Sequence, residues 1–169
     1  QNIRLFQNMT ALENVMIAQH GRTRAGVVGA MLRTPSQRAE EARIRDKARW
    51  ALDFMALGDH AHEEARNLPY GLQRRLEIAR ALASDPQTIL LDEPAAGLNP
   101  TESAALMKDI ERILGHGVNV LMVEHDMKVV MGLCTRIVVL EHGEKIAEGT
   151  PSEIRKDQRV IEAYLGTTH

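Results

Sequence analysis

The apolar run Thr88-Ile89-Leu90-Leu91 leads directly into two adjacent acids, Asp92 and Glu93, and then Pro94. A short, fully apolar run of this kind predicts a strand buried on both faces, as in a parallel sheet. A second apolar run, Val118 to Val123, follows one helix later. The stretch between them, Pro100 to Leu114, predicts that helix, with Asn99 as N-cap, Pro100 at N1, Glu102 at N3 and Gly115-His116-Gly117 as its end. Strand, crossover helix, strand is a βαβ unit. It fixes the class as α/β, a parallel sheet flanked by helices.

The rest of the chain is arranged around that unit. Thr10-Ala11-Leu12-Glu13 is a capping box and opens a helix through about His20. Ser36 to Leu57 predicts a long helix, with Ala42, Ile44, Ala48, Ala51, Leu52 and Met55 at helical spacing. From Arg22 to Arg49 there are eight Arg and Lys against three Asp and Glu, a basic stretch whose ordinary reading is a solvated face. Gly71 to Ala83 predicts a helix stopped by Ser84-Asp85-Pro86, and Asp126 to Leu133 predicts another. Arg136 to Leu140 and Lys145 to Glu148 flank Glu141-His142-Gly143-Glu144, the pattern of a β-hairpin. Gly149-Thr150-Pro151 ends the hairpin, and Ser152 is expected to cap a last helix.

Composition narrows the function classes. With 169 residues, 44% apolar and 26% charged, the chain has the balance of a globular domain. A formal net charge of -2 gives no global field for nucleic acid, and no nucleic-acid partner is expected. The single cysteine, Cys134, excludes an internal disulfide. No apolar run approaches the roughly 20 residues that span a bilayer.

Three constellations carry chemistry. Asp92 and Glu93 end an apolar strand, and ligands of open α/β sheets bind beyond the carboxyl ends of strands. Asp92 is placed to hold Mg²⁺, directly or through water, and Glu93 to activate a water for attack on a γ-phosphate. Leu68-Pro69-Tyr70-Gly71-Leu72-Gln73-Arg74-Arg75 opens a helix with a glycine at its N-terminus, where free N–H groups and the helix dipole favour an anion. Val123-Glu124-His125-Asp126 ends the second apolar strand, so His125 is placed to contact a γ-phosphate. Each has an ordinary reading when taken alone: acids solvating a strand end, a glycine starting a helix, a capping histidine. Their order and spacing give them weight together.

Together these residues resemble the ATP-binding cassette (ABC) ATPases. Leu68 to Arg75 resembles the signature motif, Thr88 to Glu93 the Walker B strand with its catalytic Glu, Ala96 to Asn99 the D-loop and His125 the switch histidine. Gln1 resembles the Q-loop glutamine, which senses Mg²⁺ and relays to the membrane subunit. Gln7 competes for that place, but the Leu5-Phe6 before it and the helix cap after it put it downstream. LPYGLQRRLEIARAL, DEPAAGLNP, EHDM and the C-terminal AYLG are most similar to the ATPase subunits of branched-chain amino-acid importers. The resemblance implies a P-loop NTPase-like sheet in one partial ABC domain. Its parts would be a Q-loop region at 1–9, a helical subdomain at 10–67, a core at 68–134 and a C-terminal hairpin and helix at 135–169. It further implies ATP contacts at Gln1, Leu68, Pro69, Tyr70, Gly71, Gln73 and Asn99, Mg²⁺ at Asp92 and Gln1, and catalysis by Glu93 and His125. The implied partners are a second ATPase subunit and integral-membrane permease subunits, on the cytoplasmic face of the plasma membrane.

The sequence departs from the family pattern at several positions. The signature's usual Ser is Pro69, its first Gly is Tyr70 and its Gln is Leu72, while the D-loop's usual Asp is Asn99. No Gly-Lys dipeptide occurs, so the phosphate-binding loop GxxxxGK[ST] is missing, and a truncation ahead of Gln1 is the expected reason. The 169 residues alone are therefore expected to be inactive, less stable than the parent and prone to associate. Two other readings use the same motifs: a soluble ABC ATPase working on DNA or ribosomes, and a non-catalytic interaction fragment.

Overall fold

The computed structural model describes residues 4–19 and 35–165, which form two compact units, Gln1–Met122 and Val123–His169. In the first, helices α1 (Ala11–Ile17), α2 (Pro35–Phe54) and α3 (Tyr70–Leu82) pack pairwise against one another. Ala11 and Val15 of α1, Ala48, Ala51 and Leu52 of α2, and Leu76 and Ala79 of α3 are fully buried, the faces that helical spacing assigns to a core. The Thr10–Glu13 capping box forms at the start of α1 as expected. The helix ends at Ile17 with Ala18 as its C-cap, so the expected continuation is corrected at Ala18 and Gln19, which form a turn; His20 lies outside the described residues.

Strand β1 (Thr88–Asp92) leads into helix α4 (Pro100–Gly115) and then β2 (Asn119–Val123). The two strands are neighbours in a parallel sheet, the expected βαβ unit. The expectation that β1 is buried on both faces is corrected. Ile89 is buried, but Leu90 is 72% exposed, and in β2 Leu121 is 62% exposed. These residues lie on one face of the pleat, which nothing among the described residues covers.

The second unit contains α5 (Met127–Leu133), the antiparallel pair β3 (Ile137–Glu141) and β4 (Glu144–Gly149), and helices α6 (Pro151–Ile154) and α7 (Gln158–Leu165). Its core is Ile137, Ala147, Ile154 and Val160. The hairpin turn takes positive φ at His142 (49°) and Gly143 (85°), the two-residue geometry whose twist matches the flanking strands. The cap of α6 is Thr150, not Ser152. Thr150 accepts from Glu153 N–H and is closed by the Glu153 carboxylate, with Pro151 at N1.

Candidate functional site

Helix α3 starts where the signature segment was expected. Pro69 is its N-cap, and the Pro69 carbonyl accepts from Leu72 N–H at 2.9 Å and Gln73 N–H at 3.0 Å. Leu68 is buried. The Gln73 amide turns back to donate to the Leu68 carbonyl at 2.8 Å, stapling the helix start. Gly71 lies against Glu102 of α4, where a Cβ would stand 2.9 Å from Glu102 Oε1, so the close approach requires glycine. Tyr70 is exposed, and its hydroxyl donates to the Ala96 carbonyl at 3.2 Å.

Asp92 closes β1 on the exposed side and Glu93 follows it. Glu93 takes φ 43°, a left-handed conformation that L side chains rarely adopt. Turns then run from Glu93 to Ala96 and from Ala95 to Leu98, with Gly97 at φ 77°. Asn99 caps α4: its side chain accepts from Glu102 N–H at 3.0 Å, and Glu102 Oε2 accepts from Asn99 N–H at 3.0 Å. The structure therefore brings the signature start, the turn at 93–98 and the cap of α4 together in the first unit. His125 belongs to the second unit, is exposed, and has its N–H donated to its neighbour Glu124 at 3.2 Å. Gln1 lies outside the described residues.

Several residues that the sequence reading missed organise the surroundings. Asn14 is fully buried in α1. Its amide donates to the carbonyls of Phe6, Met9 and Thr10 and accepts from Phe6 N–H at 2.9 Å, which fixes the path of residues 6–10. The backbone of Arg4 is held by α3, its N–H by Glu77 at 2.8 Å and its carbonyl by Arg80 at 2.6 Å. Asp109 of α4, 2% exposed, pairs with Arg75 of α3 at 2.8 Å and Arg112 at 3.3 Å. Burial pushes the Asp109 carboxyl above its ordinary 3.8, against the pull of both guanidinium groups. The sequence held one signal for it: Asp109 sits within the apolar stripe Leu106, Ile110, Ile113, where a charge needs a partner.

The residues present fit Mg²⁺ in part. Mg²⁺ uses one or two protein carboxylates and completes its shell with phosphate and water, and Asp92 stands at a strand end that suits this. A concavity of about 310 Å³ adjoins it, lined by Arg4, Arg74, Glu77 and Arg80 among others. A Gly-Lys phosphate cradle is not among the 169 residues. No group of three or more His, Cys, Asp or Glu able to hold a metal occurs among the described residues.

A parallel βαβ unit with an acidic strand end, a glycine-bearing helix start packed on the turn that follows, and a C-terminal hairpin define a nucleotide-binding cassette fold. Residues 1–96 match the family model described as ABC transporter. Residues 144–169 match the one described as branched-chain amino acid ATP-binding cassette transporter. The chain belongs to the ABC transporter ATPase family.

The chain is 46% identical over 167 residues to the high-affinity branched-chain amino acid transport ATP-binding protein LivG of Escherichia coli (strain K12), over 98% of this chain and 66% of that protein. It is 44% identical to the corresponding BraF protein of Pseudomonas aeruginosa, with the same coverage. Its fold is similar to the crystal structure of the ADP conformation of MJ1267, an ATP-binding cassette of an ABC transporter. The TM-score is 0.76 at 26% identity, over 95% of this chain and 64% of that one. The chain thus spans 66% of the length of the curated relatives it matches.

Proposed function

We propose that these residues are part of the ATP-hydrolysing subunit of an importer for branched-chain amino acids. The observation that carries this reading is the likeness to LivG, 46% identity across 98% of the chain, with Asp92, Glu93 and His125 in family order. Mg²⁺, when bound with ATP, neutralises charge that develops on the phosphates. Asp92 holds the metal, with Gln1 as its second protein contact. Glu93 takes the proton of the attacking water, and His125 contacts the γ-phosphate and helps orient that water. The left-handed backbone at Glu93 supports its role, because strained conformations of this kind cluster at functional sites.

Two such subunits sandwich ATP, with Leu68, Pro69, Tyr70, Gly71 and Gln73 of one facing the nucleotide held by the other and Asn99 beside them. Because Pro69 offers no hydroxyl, the Gly71 N–H and the start of α3 supply the anion contact. The side chains of Gln73 and Asn99 already serve the helix starts, so their part at the nucleotide is to hold backbone groups in place. The helical part, 10–67, meets the integral-membrane permease subunits at the cytoplasmic face, with 68–134 as the catalytic core and 135–169 as the C-terminal hairpin and helix in this reading. No helix among the described residues is long and apolar enough to cross a membrane.

The 169 residues alone are inactive in this reading, since positioning of the phosphates does most of the work in phosphoryl transfer. The test is ATP hydrolysis by the full-length protein and by residues 1–169, each with a Glu93→Gln control. Glu93-dependent turnover in the full-length protein alone supports the reading. Turnover by residues 1–169, lost in Glu93→Gln, contradicts the inactivity, and no turnover by either leaves a non-catalytic interaction module.

A further inference from the structure

The start of α3 and the turn at 96–97 are 26 residues apart in the chain, yet side chains join them. The Tyr70 hydroxyl donates to the Ala96 carbonyl at 3.2 Å. The same ring lies so close to Gly97 that a Cβ there would stand 3.2 Å from ring atom Cε1, at a φ of 77° that already favours glycine. The Arg74 guanidinium, one turn further along α3, lies 5.4 Å from the centre of the Tyr70 ring, within cation–π range. Next to Tyr70, Gly71 abuts Glu102, which closes the Asn99 cap at the far end of the turn. Two consecutive residues of one helix start therefore bear on the turn, Tyr70 directly at Ala96 and Gly97 and Gly71 through Glu102 at the Asn99 cap. A glycine at position 70 would supply neither the hydroxyl nor the ring.

We propose that Tyr70 is a positioning residue that makes the start of α3 and the turn at Ala96–Gly97 move as one body. A displacement of either during nucleotide turnover is then passed to the other. The inference rests on the ATPase reading for its functional half, while the joint itself stands on the contacts above. Phe at position 70 keeps the ring and removes only the hydrogen bond, so it isolates the joint from packing.

Two measurements on the full-length protein test it. In Tyr70→Phe, amide exchange at Ala96 and Leu98, whose N–H groups close the turns, is expected to rise about three- to tenfold, the worth of one hydrogen bond. The kcat for ATP is expected to fall by a similar factor, about three- to tenfold, with KM unchanged. Gly97→Ala, which crowds the ring, should lower kcat too. Its defect should add little to that of Tyr70→Phe, because both act on one joint. Unchanged exchange overturns the joint. A raised KM with intact kcat shows that Tyr70 acts only at the nucleotide face and not through the turn, and additive defects separate the two residues; each overturns the proposal. If the unsubstituted protein shows no Glu93-dependent hydrolysis, the ATPase reading fails and the functional half with it, and the exchange result still decides the joint.

Discussion

Gly71 on α3 and Glu102 on α4 are in direct apposition, with space for a hydrogen but not for a methyl: a Cβ at 71 would stand 2.9 Å from Glu102 Oε1. Glu102 cannot swing away freely, because its other oxygen closes the Asn99 cap. Gly71→Ala therefore sets a helix-propensity gain of about 1 kcal/mol against the loss of a capping contact worth about 1 kcal/mol. The expected result is an unfolding midpoint in urea close to the unsubstituted value, with clearly reduced ATP hydrolysis in the full-length protein. A more stable variant with full activity would show that the contact is incidental.

Asp109 ties α4 to α3 through Arg75, and the two substitutions Asp109→Ala and Asp109→Asn should differ. Alanine leaves Arg75 without its carboxylate and a gap in the helix interface, at a cost of about 3 kcal/mol. Asparagine keeps an acceptor of the same shape and removes a charge that burial disfavours, so its cost should be less than half of that. Denaturant unfolding of the two variants checks the order.

Asn14→Ala strips the segment 6–10 of its internal scaffold. The carbonyls of Phe6, Met9 and Thr10 lose a donor and Phe6 N–H loses its acceptor, for a loss of about 2–3 kcal/mol. Amide exchange should rise at Phe6 and Met9 before it rises in α2 or α3.

Stability should respond to acid with opposite signs at different places. The backbone and hydroxyl hydrogen bonds of Thr10 hold the Glu13 carboxyl below its ordinary 4.5, and those of Thr150 do the same for Glu153. Their contributions are present above 4.5 and are lost as pH falls through the lower folded values. Asp109, raised by burial, contributes stability that is full below 3.8 and is lost as pH rises through its folded value. Glu13→Gln should flatten the acid-side fall in stability, and Asp109→Asn should flatten the decline on raising pH above 3.8. Urea midpoints measured from about pH 6 to about pH 3 test both signs.

Much of the fold was legible because its signals are local. The boxes Thr10–Glu13 and Asn99–Glu102, the stop at Asp85-Pro86 and the His142-Gly143 turn each depend on residues within a few positions. The Thr150 cap was legible by the same rule, since Thr150-Pro151-Ser152-Glu153 repeats the pattern Asn99-Pro100-Thr101-Glu102; the neighbouring hydroxyl of Ser152 obscured it. The exposure of Leu90 and Leu121 was not legible from those runs, because an apolar strand records what a face is suited to meet and not what covers it. The candidate site residues could be listed from their order along the chain. The Tyr70–Ala96 bond, the hold of Glu77 and Arg80 on Arg4, and the Asp109 pair join residues distant in sequence, and no local pattern encodes them.

The uncovered apolar face has its own consequence. Leu90 and Leu121 each expose more than half of their surface on it. Residues 1–169 prepared alone should associate in a concentration-dependent way, and sedimentation velocity would register it. A monomer with one cooperative thermal transition would count against this.

The central claim, that Glu93 is the base of an ATPase, is tested most directly by steady-state ATP hydrolysis of the full-length protein beside its Glu93→Gln variant. The account predicts turnover that falls about 100-fold or more in the variant while ATP still binds, the usual worth of a general base. Turnover that Glu93→Gln leaves unchanged would contradict it.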